Sequence, residues 1–61
     1  MIYVDYSYQK KDGSTGHGTA QFYHPNKAIR FIYSIASRKN YSYDGFSTDD
    51  EWETEYILRR I

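Results

Sequence analysis

Sixty-one residues without a cysteine are expected to form one domain, near the lower size limit for a chain that folds on packing alone, and they exclude a disulfide framework or a Cys-ligated zinc. Eight lysines and arginines balance eight aspartates and glutamates, which removes the strongly basic composition of a general nucleic-acid binder. No apolar run approaches the roughly 20 residues of a membrane span, and the start MIYVDYSYQ has no basic region followed by a hydrophobic one, so a soluble intracellular protein with no membrane partner is expected.

Ile2 to Gln9 alternates with period two, Ile2, Val4, Tyr6 and Tyr8 on one face against Tyr3, Asp5 and Ser7 on the other, and predicts a strand. Gly18 to His24 predicts a second strand, with Lys11-Asp12-Gly13 supplying the turn between them. A two-residue loop would mix core and solvent faces, whereas a three-residue loop with Gly13 left-handed sets Ile2 opposite Phe22 and Val4 opposite Ala20. The same register lays Tyr6 across Gly18 and Tyr8 across Gly16, where an aromatic ring covers bare backbone.

His24-Pro25 closes that strand, because the residue before proline is driven to extended angles and proline is welcome in a helix's first turn. Asn26 to Lys39 (NKAIRFIYSIASRK) then repeats its apolar residues with a helical period. Ala28, Ile29, Ile35 and Ala36 flank Ile32 on one stripe, while Lys27, Arg30, Ser34, Ser37 and Arg38 form a wet, basic back. Lys39 and Asn40 are expected to end the helix, Asn40 as a left-handed cap.

Tyr41 and Tyr43 alternate with Ser42 and Asp44 in a third strand over 40–47, and a bulge at Gly45 returns Phe46 to the tyrosine face. Residues 48–61 carry two patterns. Trp52, Thr54, Tyr56 and Leu58 alternate with Glu51, Glu53 and Glu55 as a strand would. Thr48-Asp49-Asp50-Glu51 reads as a capping box, followed by early acids, a Glu55 to Arg59 pair and terminal arginines, as in a helix that puts Ile57, Leu58 and Ile61 opposite Trp52. The helix is preferred. The expected fold is therefore α+β over residues 1–61: a small antiparallel sheet (ββαβ) on one main helix with a short C-terminal helix, the alternative being ββαββ with a fourth strand. Burial of Ile29, Ile32 and Ile35 against Val4, Ala20 and Phe22 is expected to supply most of the stability.

Charge is uneven along the chain. Residues 1–43 carry six basic against two acidic side chains, and residues 44–61 six acids against Arg59 and Arg60, so a molecule polar from end to end is expected. Eight tyrosines, three phenylalanines and one tryptophan are too many for so small an interior, and at least one exposed aromatic cluster is expected.

The segments Lys27-Ala28-Ile29-Arg30-Phe31-Ile32-Tyr33, Gly45-Phe46-Ser47-Thr48-Asp49-Asp50 and Tyr56-Ile57-Leu58-Arg59-Arg60-Ile61 resemble small uncharacterised proteins encoded by phages and prophages of Gram-positive bacteria. The resemblance covers the second half of the chain. It implies a non-enzymatic protein of the infected or lysogenic host cytoplasm that binds host or phage machinery, in some cases as an anti-CRISPR or other counter-defence inhibitor. It carries over no functional residue.

Five constellations suggest chemistry or binding. Ser7 opposite His17 with Asp5 adjacent is a hydrolase-like trio, but a flat hairpin face gives neither a water-excluding cleft nor an oxyanion site, so no catalysis is expected. His17 and His24 lie on opposite faces of one strand by parity, so no shared metal and no cofactor are expected. Gly13-Ser14-Thr15-Gly16-His17-Gly18 leads into a strand and lacks the Lys-Ser/Thr of a phosphate loop. On the main helix, Lys27, Phe31, Ser34 and Arg38 form one line with Arg30 beside it, so that the cations Lys27, Arg30 and Arg38 flank the Phe31 ring, a nucleic-acid site in the alternative reading and an ordinary solvated face otherwise. The acidic, aromatic stretch Asp44, Phe46, Asp49, Asp50, Glu51, Trp52, Glu53 and Glu55 is the candidate protein-binding site, for a partner with a basic surface, with Tyr41 and Tyr43 as neighbours.

Overall fold

The computed structural model describes residues 1–61. Strands β1 (Ile2–Gln9), β2 (Thr15–Phe22) and β3 (Tyr41–Thr48) form an antiparallel sheet in the order β2-β1-β3, with helix α1 (Pro25–Ala36) between β2 and β3 and helix α2 (Glu51–Leu58) after β3. This is the α+β arrangement ββαβ with a C-terminal helix, and the alternative fourth strand is absent. Both helices pack on the face of the sheet that carries Ile2 and Val4.

The β1–β2 hairpin has the expected register, Ile2 with Phe22, Val4 with Ala20, Tyr6 with Gly18 and Tyr8 with Gly16. The Lys10 N–H bonds the Ser14 carbonyl at 2.8 Å, enclosing a three-residue loop in which Gly13 has φ +89°, a conformation glycine adopts without a Cβ penalty. Asp12 accepts from both the N–H and the hydroxyl of Ser14. β2 therefore begins at Thr15 rather than Gly18 and ends two residues earlier than expected, since Tyr23 and His24 turn away toward Pro25. β1 and β3 pair regularly except for a register shift at Asp5/Tyr6, where Gly45 has φ +126° and Asp44 is the extra residue. The bulge returns Phe46 to Val4, as expected.

α1 starts at Pro25 with no side-chain cap, and it stops at Ala36, three residues short of expectation. The Ser37 hydroxyl donates to the Ser34 carbonyl and the Arg38 N–H to the Ile35 carbonyl, so backbone-competing serines tighten and end the helix. Asn40 is not left-handed, because positive φ occurs only at Gly13 and Gly45. Ala36, placed on the buried stripe by periodicity, is exposed in this last turn.

The core consists of Ile2, Val4, Ala28, Ile29, Ile32, Ile35 and Ile57, rimmed by half-buried Tyr6, Phe22, Phe31, Tyr41, Tyr43, Phe46 and Tyr56. Ile29, Ile32 and Ile35 are buried as expected. Ala20 and Phe22 remain partly exposed, however, and Ile2 and Ile57 join the core in their place.

Candidate protein-binding surface

α2 begins one residue after Asp50, whose carboxylate accepts the Trp52 N–H at 2.8 Å. Asp50 is therefore the N-cap, displacing the capping box expected from Thr48. Thr48 instead ends β3, with its hydroxyl accepting from the Asp50 N–H and bonded to Thr54 at 2.8 Å. A sidechain-braced corner thus fixes where the helix leaves the sheet. Carboxylates at Glu51 and Glu53 in the first turn suit the positive end of the helix dipole.

At 100° per residue, Ile57 lies about 140° from Trp52, and Glu55 and Leu58 fall on the side of Trp52 away from it. Ile57 is fully buried, whereas Trp52 is 64% and Leu58 58% exposed. Ile57 is the only fully buried residue of α2, half-buried Tyr56 packs on the core beside it, and Trp52 and Leu58 face outward. Leu58 and Ile61, grouped with Ile57 by periodicity, are not core residues.

Tyr56 supports the exposed arc. Its hydroxyl donates to the Asn26 side chain at 2.8 Å, tying α2 to the start of α1, and its ring lies between Trp52 at 5.2 Å and the Arg60 guanidinium at 3.5 Å. The Tyr33 hydroxyl donates to the Arg60 carbonyl and ties down the C-terminal end. Trp52 thus sits at the end of a Trp-Tyr-Arg stack spaced by single helical turns, beside a shallow depression lined by Glu51, Thr54 and Glu55. The Glu55–Arg59 pair forms at 3.9 Å with both side chains largely in water, where it adds little to stability.

The structure divides the candidate residues. Asp49, Glu51, Trp52 and Glu55 are exposed around α2, Asp50 is committed to the cap, and half-buried Glu53 lies 4.0 Å from the terminal amine of Met1. Asp44 is on the open face of the sheet, where the Ser7 hydroxyl approaches it at 3.4 Å. Phe46 packs on the core. Tyr41 lies seven strand steps from Thr48, roughly 23 Å along β3, in a separate cluster with Tyr6 at 6.1 Å, Tyr8 at 5.7 Å and Arg38 over its ring at 5.5 Å. Tyr43 is half-buried, and burial raises its hydroxyl pKa above the ordinary value. The expected single acidic, aromatic patch is therefore several separate features, because strand alternation and the Gly45 bulge send neighbouring residues to different faces.

Lys27 and Arg30 on α1 are exposed, as is Arg38, which lies beyond the helix end at Ala36. Phe31 is not a free ring between them: it packs edge-on against Tyr6 at 5.6 Å and against Phe22 at 5.2 Å. The trio on the hairpin is likewise differently connected. Ser7 and His17 are paired across the strands, but Ser7 turns to Asp44 and Asp5 accepts from the Thr19 hydroxyl at 2.7 Å. No three His, Asp or Glu side chains gather as a metal site, and no helix is long and apolar enough to cross a membrane.

No protein-family model, curated protein or solved structure matches the chain.

Proposed function

We propose that this chain is a non-enzymatic protein-binding module whose contact is the outer arc of α2, with Trp52 as anchor and Asp49, Glu51 and Glu55 as its acidic surround. The observation that carries the reading is the 64% exposure of the only tryptophan, on a ring already braced by Tyr56. Tryptophan is enriched among residues that dominate binding energy, and a braced ring loses little freedom on docking. The carboxylates would steer a protein with a basic surface and repel acidic competitors. Nucleic acid is the less favoured partner, since Phe31 is engaged with Tyr6 and Phe22 and cannot stack a base between the helix cations without leaving them.

The phage-type resemblance of the second half motivates the setting, a host or phage protein in a bacterial cell, with counter-defence inhibition as the role. Occupying a basic groove is one way for so small a protein to block a nucleic-acid-handling enzyme without catalysis. Capture from lysate of a Gram-positive host tests the reading. Substitution D49K/E51K/E55K spares the Asp50 cap and should abolish recovery of a specific partner from a variant that still folds, its unfolding midpoint lowered only by the loss of Glu51 at the helix dipole and of the exposed Glu55–Arg59 pair. Undiminished capture of that partner would remove the acidic arc from the account.

A further inference from the structure

The two edges of the sheet are protected unequally. On β3 the edge is broken by the Gly45 bulge, carries Asp44 and runs directly into the Thr48–Asp50 corner, all features that discourage pairing with another strand. β2 has none of these: Thr15–Phe22 is eight residues long, pairs with β1 without a register shift, and contains no proline, lysine or carboxylate. Its free side can be identified. The Lys10 N–H bonds Ser14, while the Gln9 N–H bonds Asn40 on the β3 side. Antiparallel pairs alternate, so even-numbered β2 residues bond β1 and the backbone groups of Thr15, His17, Thr19 and Gln21 face outward.

We infer that this edge pairs antiparallel with β2 of a second copy, joining the two sheets into one of six strands. Self-pairing follows from the sequence of the edge. A two-fold axis at Gly18 places His17 opposite the partner's Thr19 and Thr15 opposite the partner's Gln21. About eight interchain backbone bonds form, with no like charges apposed. On the helix-bearing face the strand contributes Gly16, Gly18, Ala20 and Phe22. The Tyr6 and Tyr8 rings lie over these two glycines so closely that an added Cβ would approach ring atoms within 3.0 Å. The tyrosine rings therefore cover β2 as far as its glycines, and dimerisation brings the two Tyr6 hydroxyls toward each other across the axis.

An edge of this length makes an interface at the small end of the range for specific contacts, so the dimer is concentration-dependent. Sedimentation of the full chain from micromolar to millimolar concentration should show a monomer–dimer equilibrium, with amide exchange slowed at Thr15, His17, Thr19 and Gln21 in the dimer. His17→Pro deletes an outward N–H that no contact within the monomer uses and should weaken the dimer about tenfold or more with the fold kept. The double variant H17K/T19K, which opposes lysines across the axis, should do the same and carries the test if His17→Pro unfolds. A wild type that stays monomeric throughout, a dimer unaffected in the folded variants, or protection confined to α2 or β3 would each overturn the inference.

Discussion

Replacing Ile57 by alanine removes the one fully buried side chain of α2. Three buried carbons are lost, about 2.4 kcal/mol at roughly 0.8 per carbon, and a cavity that fails to collapse adds up to about 2 kcal/mol more. The total stability of a 61-residue chain is on the order of 3 to 9 kcal/mol, so the loss is a large part of it. An eight-residue helix does not persist in water by itself, and α2 should lose helicity along with its packing. Circular dichroism during thermal unfolding should show a midpoint lower by about 10 °C or more, and Ile32→Ala should fall in the same range. A loss below about 1 kcal/mol for Ile57→Ala would mean that α2 is held by its cap and by the Tyr56–Asn26 and Tyr33–Arg60 bonds instead, and that its packing on the core is incidental.

Trp52→Ala should leave unfolding within about 1 kcal/mol of wild type, the worth of its contact with Tyr56, as measured by circular dichroism in denaturant. Asp50→Ala should cost about 1 kcal/mol through loss of the cap, read in the same titration. Gly18→Ala should destabilise more than Gly16→Ala, because the Tyr6 ring that must move is confined by Phe31, Tyr8 and Tyr41, whereas Tyr8 has fewer aromatic neighbours; paired denaturation curves decide the order. The Ser14 hydroxyl and N–H hold the Asp12 carboxyl below its ordinary pKa. With the folded value depressed, their contribution is present above the unfolded pKa and is lost as pH falls through the folded one. Ser14→Ala should move the Asp12 titration upward in carboxyl-detected NMR.

The hairpin was legible because its signals agree: period-two alternation, a turn glycine, and two glycines spaced to meet two tyrosines. The bulge was legible for a similar reason, since Phe46 can rejoin Tyr41 and Tyr43 only if one residue is inserted at Gly45. The end of α1 was not, because Ala36 continues the apolar period while the Ser34–Ser37 bond closes the helix locally. Phe31 lies beside the stripe centred on Ile32, and only the reach of Tyr6 and Phe22 from the sheet draws it inward. α2 offers periodicity little to detect, with one buried residue in eight. Its Asp50 cap was obscured by the Thr48 spacing, whose hydroxyl serves the preceding corner. The scattering of the acidic stretch over separate faces follows from chain direction at the bulge and at that corner, which composition does not encode.

Because Trp52 is the only tryptophan, its fluorescence reports on the proposed contact without a label. Titrating the protein with its captured partner should shift the emission to shorter wavelength and protect it from acrylamide quenching, in step with complex formation measured by sedimentation. Full complex formation with emission and quenching unchanged would place the contact elsewhere and contradict the account.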